Sequence, residues 1–190
     1  MHGAVAVTFT VEDGTGLDDA NAYVSVEDAT AYLALRGRDG EAGWDEADTG
    51  DLEAAIIRAT DYVEARFRGR WRGTKATAAQ SLAWPRLDAY DDDGFEISPD
   101  AVPPALAAAV TEYAVRALAG DLLPDPAPPG DNTSGRVVRL MEKVGDLQTD
   151  TTYADSQRLP AGELRQYPAA DLMIARLIHG GGMFGRVGRA

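Results

Sequence analysis

The sequence predicts a mainly α protein: a small helical bundle with a β-hairpin arm and a flexible C-terminal tail. Three observations carry that prediction. Apolar residues recur at helical spacing in several separate stretches, two Val- and Thr-rich runs flank a Gly-Asp pair, and residues 179–190 are glycine-rich and basic. A length of 190 residues fits one domain, here 1–178, with 179–190 as a docking tail.

The elements follow in order. Val5, Val7, Phe9 and Val11 alternate with smaller or polar residues, which predicts a short N-terminal strand. Ser25 precedes Glu27 and Asp28 as an N-cap precedes an acidic first turn, and Gly37 marks the stop of that helix. From Asp51, the positions Leu52, Ala55, Ile56, Ala59, Val63 and Phe67 form one apolar stripe, with Gly69 and Gly73 beyond it. Glu64 stands four residues before Arg68, the favourable order for an ion pair. Thr77 and Gln80 have capping-box spacing and predict a short helix ending at Trp84-Pro85.

Asp91-Asp92-Asp93-Gly94 is a turn. Pro103-Pro104 opens a further helix with the stripe Leu106, Val110, Tyr113 and Ala117, an expected Glu112–Arg116 pair and a stop at Gly120. The helical body thus covers about 20–122 and 168–178. Residues 121–135 are a Pro-rich loop, and 136–153 form the hairpin with Gly145-Asp146 at its turn. The helix from Pro168 through Ile178 is apolar nearly all round, leaving Asp171 and Arg176 for water, which predicts a second wall for Leu172, Met173 and Leu177 to bury against.

Composition excludes several classes. There is no cysteine, hence no disulfide, thiolate nucleophile or sulfur-ligated metal. The N-terminus lacks a positive leader region and no apolar run approaches membrane-spanning length, so a soluble protein of a reducing compartment without a membrane partner is expected. His2 and His179, the two histidines, have no Ser or Asp placed to make a triad. Setting Gly94 on the glycine of a calcium loop puts Ala89 at the first ligand position, so the acidic run is better read as a solvated turn. Gly69-Arg-Trp-Arg-Gly73 lacks the spacing and lysine of a phosphate loop. No enzyme, cofactor or metal is expected.

Charge supplies the sharpest local signal. The chain carries a formal −13, yet residues 66–90 hold six basic side chains against one acidic. This island, Arg58 to Arg86 at its widest, interleaves arginine with Trp71 and Trp84. Arginines on phosphates with an aromatic stacked on a base would make a single-strand site. Against that, Phe67 lies on the apolar stripe, Trp84 precedes a proline as a buried lid would, and cations suit the end of a helix. A net-acidic body also repels phosphate. The arginines are therefore assigned to a subunit interface formed by Arg66, Arg68, Arg70, Trp71 and Arg72, with Leu172, Met173 and Leu177.

A family resemblance rests on an ordered set of segments: Ala-Asn-Ala-Tyr-Val-Ser-Val-Glu-Asp-Ala (20–29), Arg-Ala-Thr-Asp-Tyr-Val (58–63), Arg-Trp-Arg-Gly (70–73), Gln-Ser-Leu-Ala-Trp-Pro-Arg (80–86), Val-Pro-Pro-Ala-Leu (102–106) and Ala-Leu-Ala-Gly-Asp-Leu-Leu (117–123). In this order the chain resembles tailed-phage and prophage proteins often labelled DnaT-like single-stranded-DNA-binding. That family is similar to the head–tail connector adaptors of long-tailed phages. The resemblance implies a structural adaptor at the head–tail junction of a virion, assembled in the host cytoplasm. It implies a homo-oligomeric ring, dodecameric in such adaptors, between a portal protein and the next connector (stopper) or tail protein. DNA would pass through the ring without specific binding. The tail residues Met183, Phe184, Arg186, Val187 and Arg189 would dock on the portal. The alternative function is a single-stranded-DNA-binding replication accessory protein whose affinity depends on Arg68, Arg70 and Arg72.

Overall fold

Ser25 caps the first helix of the computed structural model, which describes residues 8–123, 137–143, 148–153 and 166–180. Its Oγ accepts from the Asp28 amide at 3.0 Å, satisfying one of the amides that a helix start leaves unpaired. Helix α1 is Val26–Ala34, and Gly37 (φ +63) closes it in a Schellman turn, with the Arg38 amide on Leu33 O and the Gly37 amide on Ala34 O. Ser25→Ala is expected to cost about 1 kcal/mol, read as a lower urea midpoint at unchanged slope. An unchanged midpoint would count against the cap.

Helix α2 is Thr49–Phe67, and the predicted stripe is its buried face, widened by Thr60 and Tyr62. Helix α3, Pro104–Ala119, packs along it in the largest helix–helix contact of the body, with Pro104 in its first turn. Helix α4 is Pro168–Ile174, continued by a 3₁₀ turn over Ala175–Leu177. Tyr62, Tyr113 and Tyr167 meet where α2, α3 and the start of α4 converge, with ring centroids 5.1–5.7 Å apart. Phe67, Trp71 and Trp84 continue the core as a second aromatic run, with centroid spacings of 5.7 and 6.1 Å. The expected core placement of Phe67 and Trp84 is what the structure has.

Two-residue strands β1 (Thr74–Lys75) and β2 (Arg86–Leu87) pair antiparallel beside this run. Strands β3 (Val137–Lys143) and β4 (Gln148–Tyr153) form the expected hairpin, with a bulge between Val137 and Arg139. The chain divides into two compact units, Met1–Leu122 with Gln166–Ala190, and Leu123–Arg165, the second of which contains that hairpin. The architecture is thus mainly α with a β-hairpin. Among the described residues no helix is long and apolar enough to cross a membrane.

Several expectations need correction. Thr77 and Gln80 do make the reciprocal bonds of a capping box, at 2.8 and 3.0 Å, but bends follow instead of a helix. Gln80 instead spends its Nε2 on Leu82 O and Pro85 O, closing the segment on itself. Asp171 does not face water: it accepts from Tyr113 OH and pairs with Arg66 at 2.7 Å. Leu177 is buried within the chain's own body, Met173 is half-buried with its sulfur accepting from Tyr32 OH, and only Leu172 of the three is open, at 54%. Helix α4 buries one face against its own bundle, so a neighbouring subunit is not needed to cover Leu177. Val5, Val7, most of the Pro-rich loop, the Gly145-Asp146 turn and the tail residues Met183, Phe184, Arg186, Val187 and Arg189 lie outside the described residues. Phe9 and Val11 pack on the core, and Val11 bridges to Ala22.

Candidate functional site

Everything distinctive about the C-terminal end of α2 starts from one diverted carboxylate. Glu64 does not pair with Arg68. Its Oε1 accepts from Tyr23 OH and from the Ala83 amide at 3.2 Å, while Tyr23 OH accepts from the Trp84 amide at 3.1 Å. This small network joins the 20–25 segment, α2 and the 80–86 segment. Burial raises the Glu64 carboxyl above its ordinary range, and burial together with the Glu64 charge pushes the Tyr23 phenol well up, so Tyr23 stays the donor. Two of the family-like segments therefore meet for structural reasons.

The arginines that follow divide into two sets. Arg66 is used inside the fold, paired with Asp171 and lying over the Tyr62 and Phe67 rings. Arg72 is also used: it donates to Ile178 O and Tyr90 O and pairs with Asp92, pinning the acidic turn. Trp71 is 5% exposed and faces the core between them. The backbone here is held as an extended strip, with the His179 amide on Arg70 O at 2.7 Å and the Arg72 amide on Leu177 O at 3.1 Å. Arg68 and Arg70 are different. Both are exposed and neither has a carboxylate partner among the described residues, Arg70 only lying 5.7 Å over the Phe67 ring. Of the residues assigned to an interface from sequence, Arg66, Trp71, Arg72 and Leu177 are consumed internally, and Arg68 and Arg70 remain available.

Two further cations join them. Lys75 and Arg86 are directly opposite each other across the β1–β2 ladder. Like charges at opposed positions destabilise a strand pair, so the arrangement breaks a local rule and calls for a compensating anion or acceptor. Among the described residues the fold supplies acceptors but no carboxylate within ion-pair range. Lys75 donates to Gln80 O, and Arg86 donates to Arg72 O, Ala83 O and Gly73 O at 2.6, 3.1 and 2.6 Å. Arg86 thus clamps the two walls of the site together, and the Glu64 charge in the same cavity offsets its own only through space. Desolvation lowers its pKa from the ordinary guanidinium range, the cost of that placement.

Between these groups lies an open cavity of about 520 Å³, lined among others by Arg68, Lys75, Arg86, Trp71, Asp61 and Glu64. That volume falls within the roughly 300–1,000 Å³ typical of small-molecule sites. Three cations against two carboxylates make it an anion-tolerant cleft, to which Trp71 adds only its small exposed fraction. Among the described residues no group of His, Cys, Asp or Glu is placed to hold a metal ion. Lys75, Arg86 and Glu64 were missed as site residues by sequence reasoning. The signal available was the extent of the basic island, which reaches both Lys75 and Arg86.

The family model described as "Putative DnaT-like ssDNA binding protein" matches residues 7–190. Comparison with curated proteins and with solved structures gave no match. The family match overturns the head-to-tail adaptor expectation, and with it the connector, ring and tail-assembly roles. It agrees instead with single-strand binding, the alternative carried from the sequence. Net charge is a weak guide to what a local cluster of cations binds. At physiological ionic strength, charges further apart than about 8 Å are largely screened, so a ligand at this face meets the local cations rather than the whole −13.

Proposed function

We propose that this chain, which belongs to the DnaT-like ssDNA binding protein family, holds single-stranded DNA on the cationic face at the C-terminal end of α2. Arg68, Arg70 and Lys75 contact successive phosphates, and Arg86 adds field from beneath. The observation that carries this is the availability of Arg68 and Arg70: in a chain of formal charge −13 they are exposed and have no carboxylate partner among the described residues. Cations left unpaired amid so many carboxylates are poised for an external anion, and release of condensed counterions from a strand supplies the affinity. The reading assigns no chemistry to the site, only retention of the strand.

The test is anisotropy of a labelled mixed-sequence oligodeoxynucleotide titrated at several salt concentrations. Three phosphate contacts predict a log–log slope of about −2, since a single strand contributes roughly 0.7 per contact. Absence of binding at low salt would overturn the proposal, as would an affinity indifferent to salt.

A further inference from the structure

We infer that the cavity beside these cations takes one unstacked base of the bound strand and that Glu64 reads it, favouring a base that presents an exocyclic amine over thymine. This rests on the single-strand reading above and adds a specificity to it. The two oxygens of Glu64 differ in what they bond. Oε1 is saturated by Tyr23 OH and the Ala83 amide, both donors, which fixes the carboxylate in place. Among the described residues no donor bonds to Oε2, on a residue that lines the cavity within the field of Lys75 and Arg86. A fixed carboxylate oxygen with nothing to accept from is an acceptor waiting for a donor.

The surroundings restrict what that donor belongs to. Ala65, Ala83 and the small exposed part of Trp71 give the wall apolar surface for a flat ring, and Arg68, Lys75 and Arg86 favour a ligand that carries negative charge elsewhere. A nucleotide of a strand has both parts: a planar base for the cleft and flanking phosphates for the cations. A free organic anion would lack the flat donor-bearing ring, and an isolated phosphate would be repelled by Glu64 itself. Cytosine offers N4–H₂, adenine N6–H₂ and guanine N2–H₂ to Oε2, whereas thymine carries a carbonyl oxygen where cytosine carries its amine. Carbonyl against carboxylate is repulsive, and thymine's one ring donor, N3–H, is flanked on both sides by carbonyl oxygens, so it meets Oε2 less well than an exocyclic amine does. A duplex keeps these edges paired and stacked, so only single-stranded DNA can enter.

The isosteric substitution Glu64→Gln makes the inference sharp. Tyr23 OH and the Ala83 amide both need an acceptor, so the introduced amide must keep its oxygen toward them and turn its NH₂ into the cavity. The recognition group then changes from acceptor to donor with the fold retained. The experiment compares labelled oligo(dC) and oligo(dT) on the full-length chain in slightly alkaline buffer, where cytosine is neutral. The wild-type chain is expected to favour oligo(dC) by about fivefold to tenfold, the discrimination of one good polar contact. Glu64→Gln should invert the preference toward oligo(dT). Ala65→Phe, at an exposed position of the cavity wall, should fill the cleft and bring the ratio to about one. A wild-type ratio of one overturns base reading while leaving strand binding in place. So does a Glu64→Gln chain that melts normally and keeps the wild-type ratio. If Glu64→Gln does not fold, the Ala65→Phe ratio decides, and a preserved preference there overturns the cavity assignment. Failure of both oligomers to bind at low salt would instead remove the strand-binding reading itself.

Discussion

Gly73→Ala is expected to lower stability by about 2–6 kcal/mol, a large share of the roughly 5–15 kcal/mol that holds a domain folded. Two costs add. Gly73 sits at φ +68, where a side chain costs about 1–3 kcal/mol in backbone strain. The added Cβ would also lie 2.2 Å from Leu87 O and 2.9 Å from the Ala89 amide nitrogen. Both are backbone atoms, so no flexible side chain can swing away, and forced overpacking of this kind costs about 1–3 kcal/mol more. The damage reaches the site directly. Gly73 O is an acceptor for Arg86, and Thr74 and Lys75 are the ladder partners of Leu87 and Arg86. Pushing residue 73 away from 87 opens the ladder and loosens the clamp that frames the cavity. With a urea slope of about 2 kcal/mol per molar, the midpoint should fall by about 2 M. A midpoint equal to wild type would refute the close approach of these two segments.

What the sequence made legible was local, and what it hid was long-range. The stripe of α2, the Ser25 cap, the Glu112–Arg116 pair at 3.0 Å and the Asp91 turn follow from residues a few positions apart, where period and capping rules apply directly. Glu64 shows where this stops. Its spacing to Arg68 suggested an ion pair, but Tyr23 and Ala83 capture it from distant parts of the chain, and Arg68 is freed as a result. Asp171 is the same case: the periodicity of α4 assigned it to a polar face, and only the fold brings Arg66 and Tyr113 to it. The Thr77–Gln80 box formed without its helix because Gln80 turns its amide back on Leu82 O and Pro85 O. The candidate site was half readable. The island of arginines stood out by composition, yet which of them were free could not be read without their partners. The opposition of Lys75 and Arg86 was invisible, because strands of two residues have no period to detect.

That division of the arginines yields the strongest functional contrast. The double variant Arg68→Ala/Arg70→Ala is expected to weaken single-strand binding about 25-fold at 0.1 M salt. Each phosphate contact to a single strand contributes about 0.7 to the log–log slope. Losing two contacts flattens the slope by about 1.4, and the affinity difference vanishes near 1 M salt, where counterion release ceases to favour binding. Ten-fold dilution of salt from that point opens a gap of ten to the power 1.4. Stability should hardly move, since both side chains are exposed and neither makes an ion pair among the described residues. Arg72→Ala is the informative opposite. Its guanidinium already serves Ile178 O, Tyr90 O and Asp92, so its removal should lower the melting temperature while leaving the salt slope near the wild-type value. A slope unchanged in the double variant would place the strand elsewhere on the molecule. A slope flattened equally by Arg72→Ala would mean that Arg72 leaves its internal partners for the phosphate backbone, contradicting the separation of structural from ligand-facing arginines on which the site is built.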